Sequence, residues 1–528
     1  MHKATGTYYT PKELSFFIWK HVTSHCRQFS VLNILEPSCG DGEFLRSIVA
    51  NSKDLTINVD AVEINASALE IAKNIVLENT KVKINFIQSD FLKVFVDKRY
   101  DIVIGNPPYI GKKYLSKHQQ DICKSIHLDA GLSVKNIRNI WTSFLIKGAQ
   151  ALNANGILAF VLPGELLQVI YADKIREFLE KEFVSIEILT FEELAFSALG
   201  QDVVVIFAHK KSFSPGIFYR QVHDVNSLSS LSQLEFRKIN TTNKTIKWSN
   251  FFLDDKDLDF LFAIEHKVKK VSDYCLSTPG IVTGANKFFI VNKENLEKNE
   301  LTKFGKYIVQ KASLVGNTVS IDVSDIMELE KSGKPCYFVD LGDAEKSSLP
   351  LKAQLYLLSG EEDEIHKRYK SSNRDPWYKV PSVWLPDAVI FKRSHLYPKL
   401  IKNDAQVLFT DTAYRIKPND GFNVDSIIYS FYNSLTLIFC ELRGRFYGGG
   451  VLELVPSEFQ SLPLPYIDVK SEEFACFKQT FRNSTHIDQI LETTDNKLLD
   501  VFGVNGEDIK KLHSIRKKLI DFRLRNFK

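Results

Sequence analysis

The feature that most constrains this chain is an alternation running from about residue 31 to 163. The runs VLNILEP (31–37), TINVDAVEI (56–64), KINFIQSD (83–90), DIVIGN (101–106) and GILAFVLP (156–163) have the apolar, β-branched character of strands. Between them GEFLRSIVANS (42–52), ASALEIAKNIVLEN (66–79) and IWTSFLIKGAQALN (140–153) carry apolar residues at helical spacing. Strands separated in this way by helices imply an α/β fold, a mostly parallel sheet with helices on both faces. After a helix near 171–182 come SIEILTF (185–191) and DVVVIFAHK (202–210), joined by a short loop containing Gly200, which predicts an antiparallel pair at the sheet edge.

Beyond about residue 245 this rhythm is lost. Short β-prone runs, Gly-rich turns and short helices alternate irregularly to about residue 467, and two terminal helical stretches follow. With 528 residues available, the expected division is 1–245, 246–480 and 481–528, with the first boundary in the polar stretch NTTNKTIKWSN (240–250). The net charge of +4 is too mild to demand a polyanionic partner but permits a local basic cleft. Seven cysteines without a CxxC pair point to reduced thiols and away from a disulfide framework or a cysteine zinc site, so no metal is expected. No apolar run reaches membrane-spanning length and the N-terminus lacks a signal-peptide core, so a cytoplasmic location with no membrane partner is expected.

Two stretches carry chemistry. ILEPSCGDGEFL (34–45) reads as strand, turn and helix start. Gly40 and Gly42 allow a ligand close to the backbone, and the helix start points amides at it. It is neither a GxGxxG fingerprint nor a P-loop. Glu63 and Asp90 end the next two strands, where one carboxylate can accept ribose hydroxyls and the other an adenine amino group. Together these three strand ends make one nucleoside pocket. In YDIVIGNPPYIGKK (100–113) a buried strand stops at Gly105. Pro107 and Pro108 fix φ and remove two donors, and Asn106 before them is driven to extended geometry. The product is a stiff loop at a strand's carboxyl end, where open α/β sheets bind ligands.

The ordered set TGTYYTP, LEPSCGDGEFL, AVEIN, QSDFL, GNPPYI and GILAFVLP resembles the class I S-adenosylmethionine-dependent methyltransferases, and more narrowly the γ-type, TaqI-like and Eco57I-like adenine-N6 methyltransferases of DNA. The resemblance spans about residues 5–210. It implies a Rossmann-like, seven-stranded sheet with an antiparallel edge strand, a C-terminal mixed α+β target-recognition domain, and S-adenosylmethionine as cofactor. On the matching positions, Tyr9, Thr10 and Pro11 would hold the cofactor's methionine end. Glu36, Ser38, Gly40 and Gly42 would line its turn, Glu63 would take the ribose, and Asp90 the adenine. Ile64 and Phe91 would sandwich that adenine, with Phe144 a weaker candidate. The helix before the fifth strand starts NIWTSF, where many relatives have an Asp-Leu-Tyr-like start.

An exocyclic amino group is a poor nucleophile because its lone pair is delocalised into the ring. Two acceptors holding both of its hydrogens would localise that pair, and the Asn106 side-chain oxygen and the Pro107 carbonyl suit this. Their rigidity makes them preorganised for in-line attack on the cofactor's methyl group. Tyr109 offers a ring for stacking on the base, which must be flipped out of the duplex. By resemblance Phe207, on the late strand, supplies a second aromatic wall. Lys112, Lys113 and Lys117, next in the chain, are candidates for phosphate contact, although a solvated charged face also explains such a run.

The C-terminal half resembles target-recognition domains through GIVTGANKFFIV (280–291), DPWYK (375–379), FTDTAYRI (409–416) and RGRFYGGGVLELVPSEFQSLPLPY (443–466). Trp377, Tyr378, Lys392, Arg393, Arg443 and Arg445 there are candidates to touch double-stranded DNA, and the 448–450 glycines permit close backbone approach. No nuclease-like pattern is evident, so any cognate restriction endonuclease is expected to be a separate chain. Cytosine N4, guanine N2 of RNA and a protein glutamine are alternative acceptors with the same chemistry. A catalytically silent DNA-binding subunit would not need Asn106 to Tyr109 with both cofactor carboxylates, and a nicotinamide oxidoreductase would need the missing GxGxxG turn.

Overall fold

Strands β1 (Val31–Glu36), β2 (Thr56–Glu63), β3 (Val82–Gln88), β4 (Tyr100–Gly105) and β5 (Leu152–Pro163) pair in parallel in the order β3-β2-β1-β4-β5. This computed structural model describes residues 10–26, 30–52, 55–75, 81–94, 97, 99–193, 202–212, 214–230, 235–240, 247–447 and 450–524. Apart from Val31 and Ala154, the apolar side chains of β1, β4 and β5 are buried, as expected of strands covered on both faces. Helices α1 (Lys12–Ser24), α2 (Glu43–Ala50), α3 (Ala66–Lys73), α4 (Lys117–Asp129) and α5 (Trp141–Ala151) form where the apolar spacing changes to helical. The Asn65 side chain caps α3 by accepting from Ser67 N at 2.9 Å, and Ser116 with Gln119 forms a capping box on α4. Strand order reverses between β1 and β4, so the crevice at their carboxyl ends is the topological switch point of the sheet.

The sheet goes further than the sequence suggested. Helix α6 (Asp173–Glu182) leads into β6 (Ser185–Phe191), then β7 (Val203–His209), β8 (Gly216–Val222) and β9 (Arg237–Lys238). The full order is β3-β2-β1-β4-β5-β7-β6-β8-β9, nine strands rather than seven. Antiparallel β7 is not an edge strand: it lies between β5 and β6, and all seven of its residues are buried. The run VVVIFAH has no polar face, which fits an interior position.

The chain divides into two compact units, Met1–Asp255 and Lys256–Lys528. The second holds several small sheets together with helices α7 (Val424–Phe431) and α8 (Ser434–Arg443). The terminal helices α9 (Ser471–Asn483), α10 (Ile487–Asp500) and α11 (Gly506–Leu524) do not stand apart as a separate segment. Asp495 of α10 is fully buried and accepts from Ser434 N (2.7 Å) and Ser434 Oγ (2.6 Å) at the start of α8. Arg523 of α11 is buried against Glu441 of α8 at 2.8 Å. Among the described residues no helix is long and apolar enough to cross a membrane.

Candidate active site

The turn after β1 depends on two left-handed glycines, Gly40 (φ +55°) and Gly42 (φ +91°). A Cβ on Gly42 would stand 3.2 Å from Ala72 Cβ and 3.3 Å from Ala72 Cα, and the positive φ disfavours any side chain there. The turn is tied to β2: Cys39 N donates to Val62 O at 2.9 Å, and Gly40 N to Glu63 Oε2 at 2.9 Å. Asn65 N donates to the other oxygen, Glu63 Oε1, at 2.8 Å. The carboxylate is therefore held in one orientation while each oxygen keeps a lone pair. Beside it Ile64 is 61% exposed, an apolar surface waiting for a planar partner.

Glu36, at the end of β1, is buried, and its Oε2 has no hydrogen-bond partner among the described residues. Burial pushes its carboxyl well above the ordinary value, and the neighbouring Glu63, Asp41 and Glu43 push it the same way. An unpaired buried carboxyl amid three other acids is an electrostatic deficit that a cation would relieve. These features fit S-adenosylmethionine, whose sulfonium and ammonium groups are positive and whose ribose and adenine need acceptors. Glu36 would face the positive end, Glu63 the ribose, and Ile64 one face of the adenine.

Asp90 lies just past β3. Its Oδ1 accepts from Leu92 N at 3.0 Å and its Oδ2 from Gln119 Nε2 at 3.4 Å. Phe91 is placed otherwise than expected. It is 1% exposed, packed on Phe144 at 5.3 Å and beneath the Lys147 ammonium at 5.0 Å. A ring enclosed in this way has no open face for an adenine, and the same burial removes Phe144. The reason is Lys147 of α5, whose Nζ donates to the carbonyls of Phe91 (2.8 Å), Leu92 (2.8 Å) and Val94 (2.7 Å) and folds this loop inward. Burial brings that ammonium down to about 8. Sequence reading missed Lys147; its one signal was a lysine within an otherwise apolar helical stripe.

The loop after β4 meets the turn after β1. Ser38 Oγ donates to Asn106 O at 3.2 Å, and Asn106 Nδ2 donates to Thr10 Oγ1 at 3.3 Å. Thr10 precedes Pro11, whose carbonyl accepts from Leu14 N (3.1 Å) and Ser15 N (3.0 Å) to start α1. Tyr9 lies outside the described residues. Asn106 is half-buried, Pro107 is buried and Pro108 half-buried. Tyr109 departs from expectation. Its ring is 8% exposed, and its hydroxyl reaches Asn106 Oδ1 at 2.8 Å and Val161 O at 3.1 Å. It holds the amide of Asn106 in place rather than presenting a stacking face.

Phe207 is also a correction. It is fully buried in mid-strand, between Ala159 and Glu187, against His21 of α1 at 4.4 Å and Phe17 at 6.5 Å. The strand alternation that suggested an aromatic wall could not show that α1 covers this face. Phe207→Ala is accordingly expected to lower stability by about 3–5 kcal/mol, measured as a lower thermal midpoint. The KM for DNA of the folded fraction should stay unchanged; a selective rise in that KM would restore Phe207 to the base pocket.

Of the basic candidates, Lys113 is exposed and Lys112 half-exposed on a short turn pinned by Lys112 N to Arg138 O at 2.8 Å. Lys113 Nζ lies 4.8 Å from the ring of Tyr114, itself 51% exposed. Lys117 is exposed. In the second unit Arg393 is exposed and bonds Glu453 at 2.5 Å, and Lys392 Nζ lies over Tyr414 at 5.1 Å. Four expected DNA contacts are instead structural. Trp377 packs on Phe288 and donates to Glu361 at 3.2 Å. Arg443 is spent on Glu265 and the Ser461 carbonyl, and Arg445 on Glu458 at 3.1 Å. Tyr378 is buried, with its hydroxyl on Ala344 O. The partners of Trp377 and Arg443 lie 16 and 178 residues away in sequence, so no local signal revealed them. Of the 448–450 glycines, Gly448 and Gly449 lie outside the described residues.

The parallel sheet, its crevice and the acid-lined turn define a class I S-adenosylmethionine-dependent methyltransferase, and S-adenosylmethionine is its cofactor. Residues 42–196 match the family described as Eco57I restriction-modification methylase, and residues 245–499 the C-terminal domain of Type II methyltransferase M.Eco57I. The chain belongs to these Eco57I-type restriction-modification methylases, enzymes of DNA methylation. It is 23% identical to Type II methyltransferase M.AccI of Acinetobacter calcoaceticus, over 95% of this chain and 94% of the relative. It is 22% identical to M.BanIII of Aneurinibacillus aneurinilyticus, over 80% and 82%. Among solved structures the Type IIL restriction-modification enzyme MmeI in complex with DNA aligns with 96% of this chain and 75% of its own, at a TM-score of 0.59 and 13% identity, a likeness of fold.

Proposed function

We propose that the chain transfers a methyl group to the N6 amino group of an adenine flipped out of duplex DNA, at a specific site. The observation that carries this reading is the join at Asn106. One residue is hydrogen-bonded to the turn after β1, to Thr10 at the head of α1 and to the Tyr109 hydroxyl, and two prolines stiffen the chain after it. In this role Asn106 Oδ1 and the Pro107 carbonyl accept the two amino hydrogens. The amino nitrogen then points its lone pair toward the cofactor, which supplies an activated methyl group. Tyr109 and Thr10 fix the amide plane, so no reorganisation is needed as charge develops on nitrogen. Lys112, Lys113 and Lys117 stand just beyond this loop in the chain and suit phosphate contact.

The deciding experiment incubates the protein with S-adenosylmethionine and unmethylated DNA and reads the nucleosides by mass spectrometry. N6-methyldeoxyadenosine is expected; N4-methyldeoxycytidine, or methyl groups on RNA or protein alone, would overturn the acceptor assignment. DNA affinity should fall steeply with salt, and a flat response would argue against phosphate clamping.

Glu36 adds a pH dependence. Its pKa is raised in the folded chain, so it keeps its proton at pH values where an unfolded glutamate has lost it. The domain without cofactor therefore loses stability as pH climbs from the unfolded value toward the folded one. A cationic ligand favours the ionised form, so cofactor binding should tighten as pH rises through the folded value and release a proton. Calorimetry in buffers of different ionisation enthalpy would detect that proton. Glu36→Gln should abolish its release and weaken binding; unchanged proton release would remove Glu36 from the cofactor site.

A further inference from the structure

Away from the Asn106 loop, α1 and two strands bring together three histidines and a glutamate. His21 and His25 are four residues apart at the end of α1 and so share one face of the helix. Glu187 of β6 and His209 of β7 are on the sheet face that α1 covers, since Glu187 is paired with Phe207 and Ser185 with His209. His21 Nε2 lies 2.6 Å from Glu187 Oε2, and His209 Nε2 lies 3.8 Å from Glu187 Oε1. The His25 ring stands 5.1 Å from that of His21 and 4.9 Å from that of His209. The ligating atoms of His21, His25 and Glu187 are all within 4.8 Å of one another. A second observation is independent of this clustering. His209 is 5% exposed, yet its Nε2, turned toward Glu187, has no hydrogen-bond partner among the described residues.

We propose that His21, His25, Glu187 and His209 bind one divalent transition-metal ion of the zinc class. Donor atoms around a tetrahedral zinc stand roughly 3.4 Å apart, given metal–ligand distances of about 2.1 Å. The His21–Glu187 contact must open by less than an ångström and the wider separations close by about one to two, within reach of side-chain rotation for the exposed His25. Imidazole donors select zinc, cobalt, nickel or copper and reject magnesium and calcium. The ion would replace the long 3.8 Å contact of His209 Nε2 to Glu187 with a metal bond and fix α1 to β6 and β7. The site sits toward the amino-terminal ends of β5 and β6, since His209 pairs with Ile157 and Ser185. Its role is therefore to anchor the helix that Thr10 and Pro11 precede, Thr10 being hydrogen-bonded to Asn106, and not to take part in methyl transfer. Motif search missed it because only tertiary structure joins residues 21 and 25 to 187 and 209.

The test uses the full chain, stripped by a chelator, in a Cys476→Ser background, because Cys476 is the exposed cysteine among the described residues and a competing ligand. Titration with cobalt should give the visible absorption of a tetrahedral site at one ion per chain, and zinc should displace it and raise the thermal midpoint. His25→Ala removes an exposed ligand without opening the core, and His25→Gln does so at similar size. Each should weaken binding by at least the ~10–100-fold that outer-shell changes cause and abolish the thermal shift. Absence of the cobalt spectrum, or equal affinity in the His25 variants, would overturn the proposal and leave the cluster a His21–Glu187 ion pair only.

Discussion

Asn106→Ala is expected to lower the methyl-transfer rate by about 10²–10³-fold, the loss typical of one preorganised polar group at a developing charge, while the dissociation constant for S-adenosylmethionine should change little. The rate loss follows from the removal of Oδ1, held at 2.8 Å by the Tyr109 hydroxyl. The modest effect on cofactor follows from contacts that survive: Glu63 stays fixed by Gly40 N and Asn65 N, and Glu36 is untouched. Single-turnover kinetics with calorimetry of cofactor binding separate the two quantities. A variant that transfers at the wild-type rate would remove Asn106 from the chemistry. Tyr109→Phe is a graded control. It removes one hydrogen bond to the amide, worth about 1 kcal/mol, so its rate should fall several-fold at unchanged cofactor affinity.

A stability effect as large as that of Phe207→Ala is expected in the second unit. Arg523 is 2% exposed, and its guanidinium bonds both oxygens of Glu441 (2.8 and 2.9 Å) and the carbonyls of His395, Leu396 and Gly450. Glu441→Ala leaves a buried cation without its carboxylate and should cost about 3–5 kcal/mol. Combining Glu441→Leu with Arg523→Met removes both charges and should recover much of that loss, because the desolvation of two ions is no longer required. Chemical denaturation of the three proteins measures the difference; a Glu441→Ala chain as stable as wild type would show that the pair contributes nothing to holding α11 on α8.

The contrast between these two positions shows what could be read in advance. Asn106 was legible because its constraint is local. Two prolines dictate the backbone of their neighbour, and a strand that stops at Gly105 must present the next residues at its carboxyl end. Gly40, Gly42, Glu63 and Asp90 were legible in the same way, each placed by the end of a strand whose periodicity marks it. Arg523 and Glu441 are 82 residues apart, and nothing near either one names the other.

The sequence by itself determined the α/β class, the strand ends that carry the acids and the rigid loop at 106–109, since dihedral restriction and hydrophobic period act over a few residues. Only the tertiary structure decided what covers each face. It put β7 inside the sheet and Phe207 under α1, turned the Tyr109 hydroxyl onto Asn106, folded Phe91 beneath Lys147, and spent Trp377, Arg443 and Arg445 on internal partners. It also brought His21, His25, Glu187 and His209 together. The physical reason is common to all of them. Periodicity states that a side chain has a buried face, but the partner that buries it, or that neutralises its charge, comes from a part of the chain whose distance in sequence carries no information about distance in space.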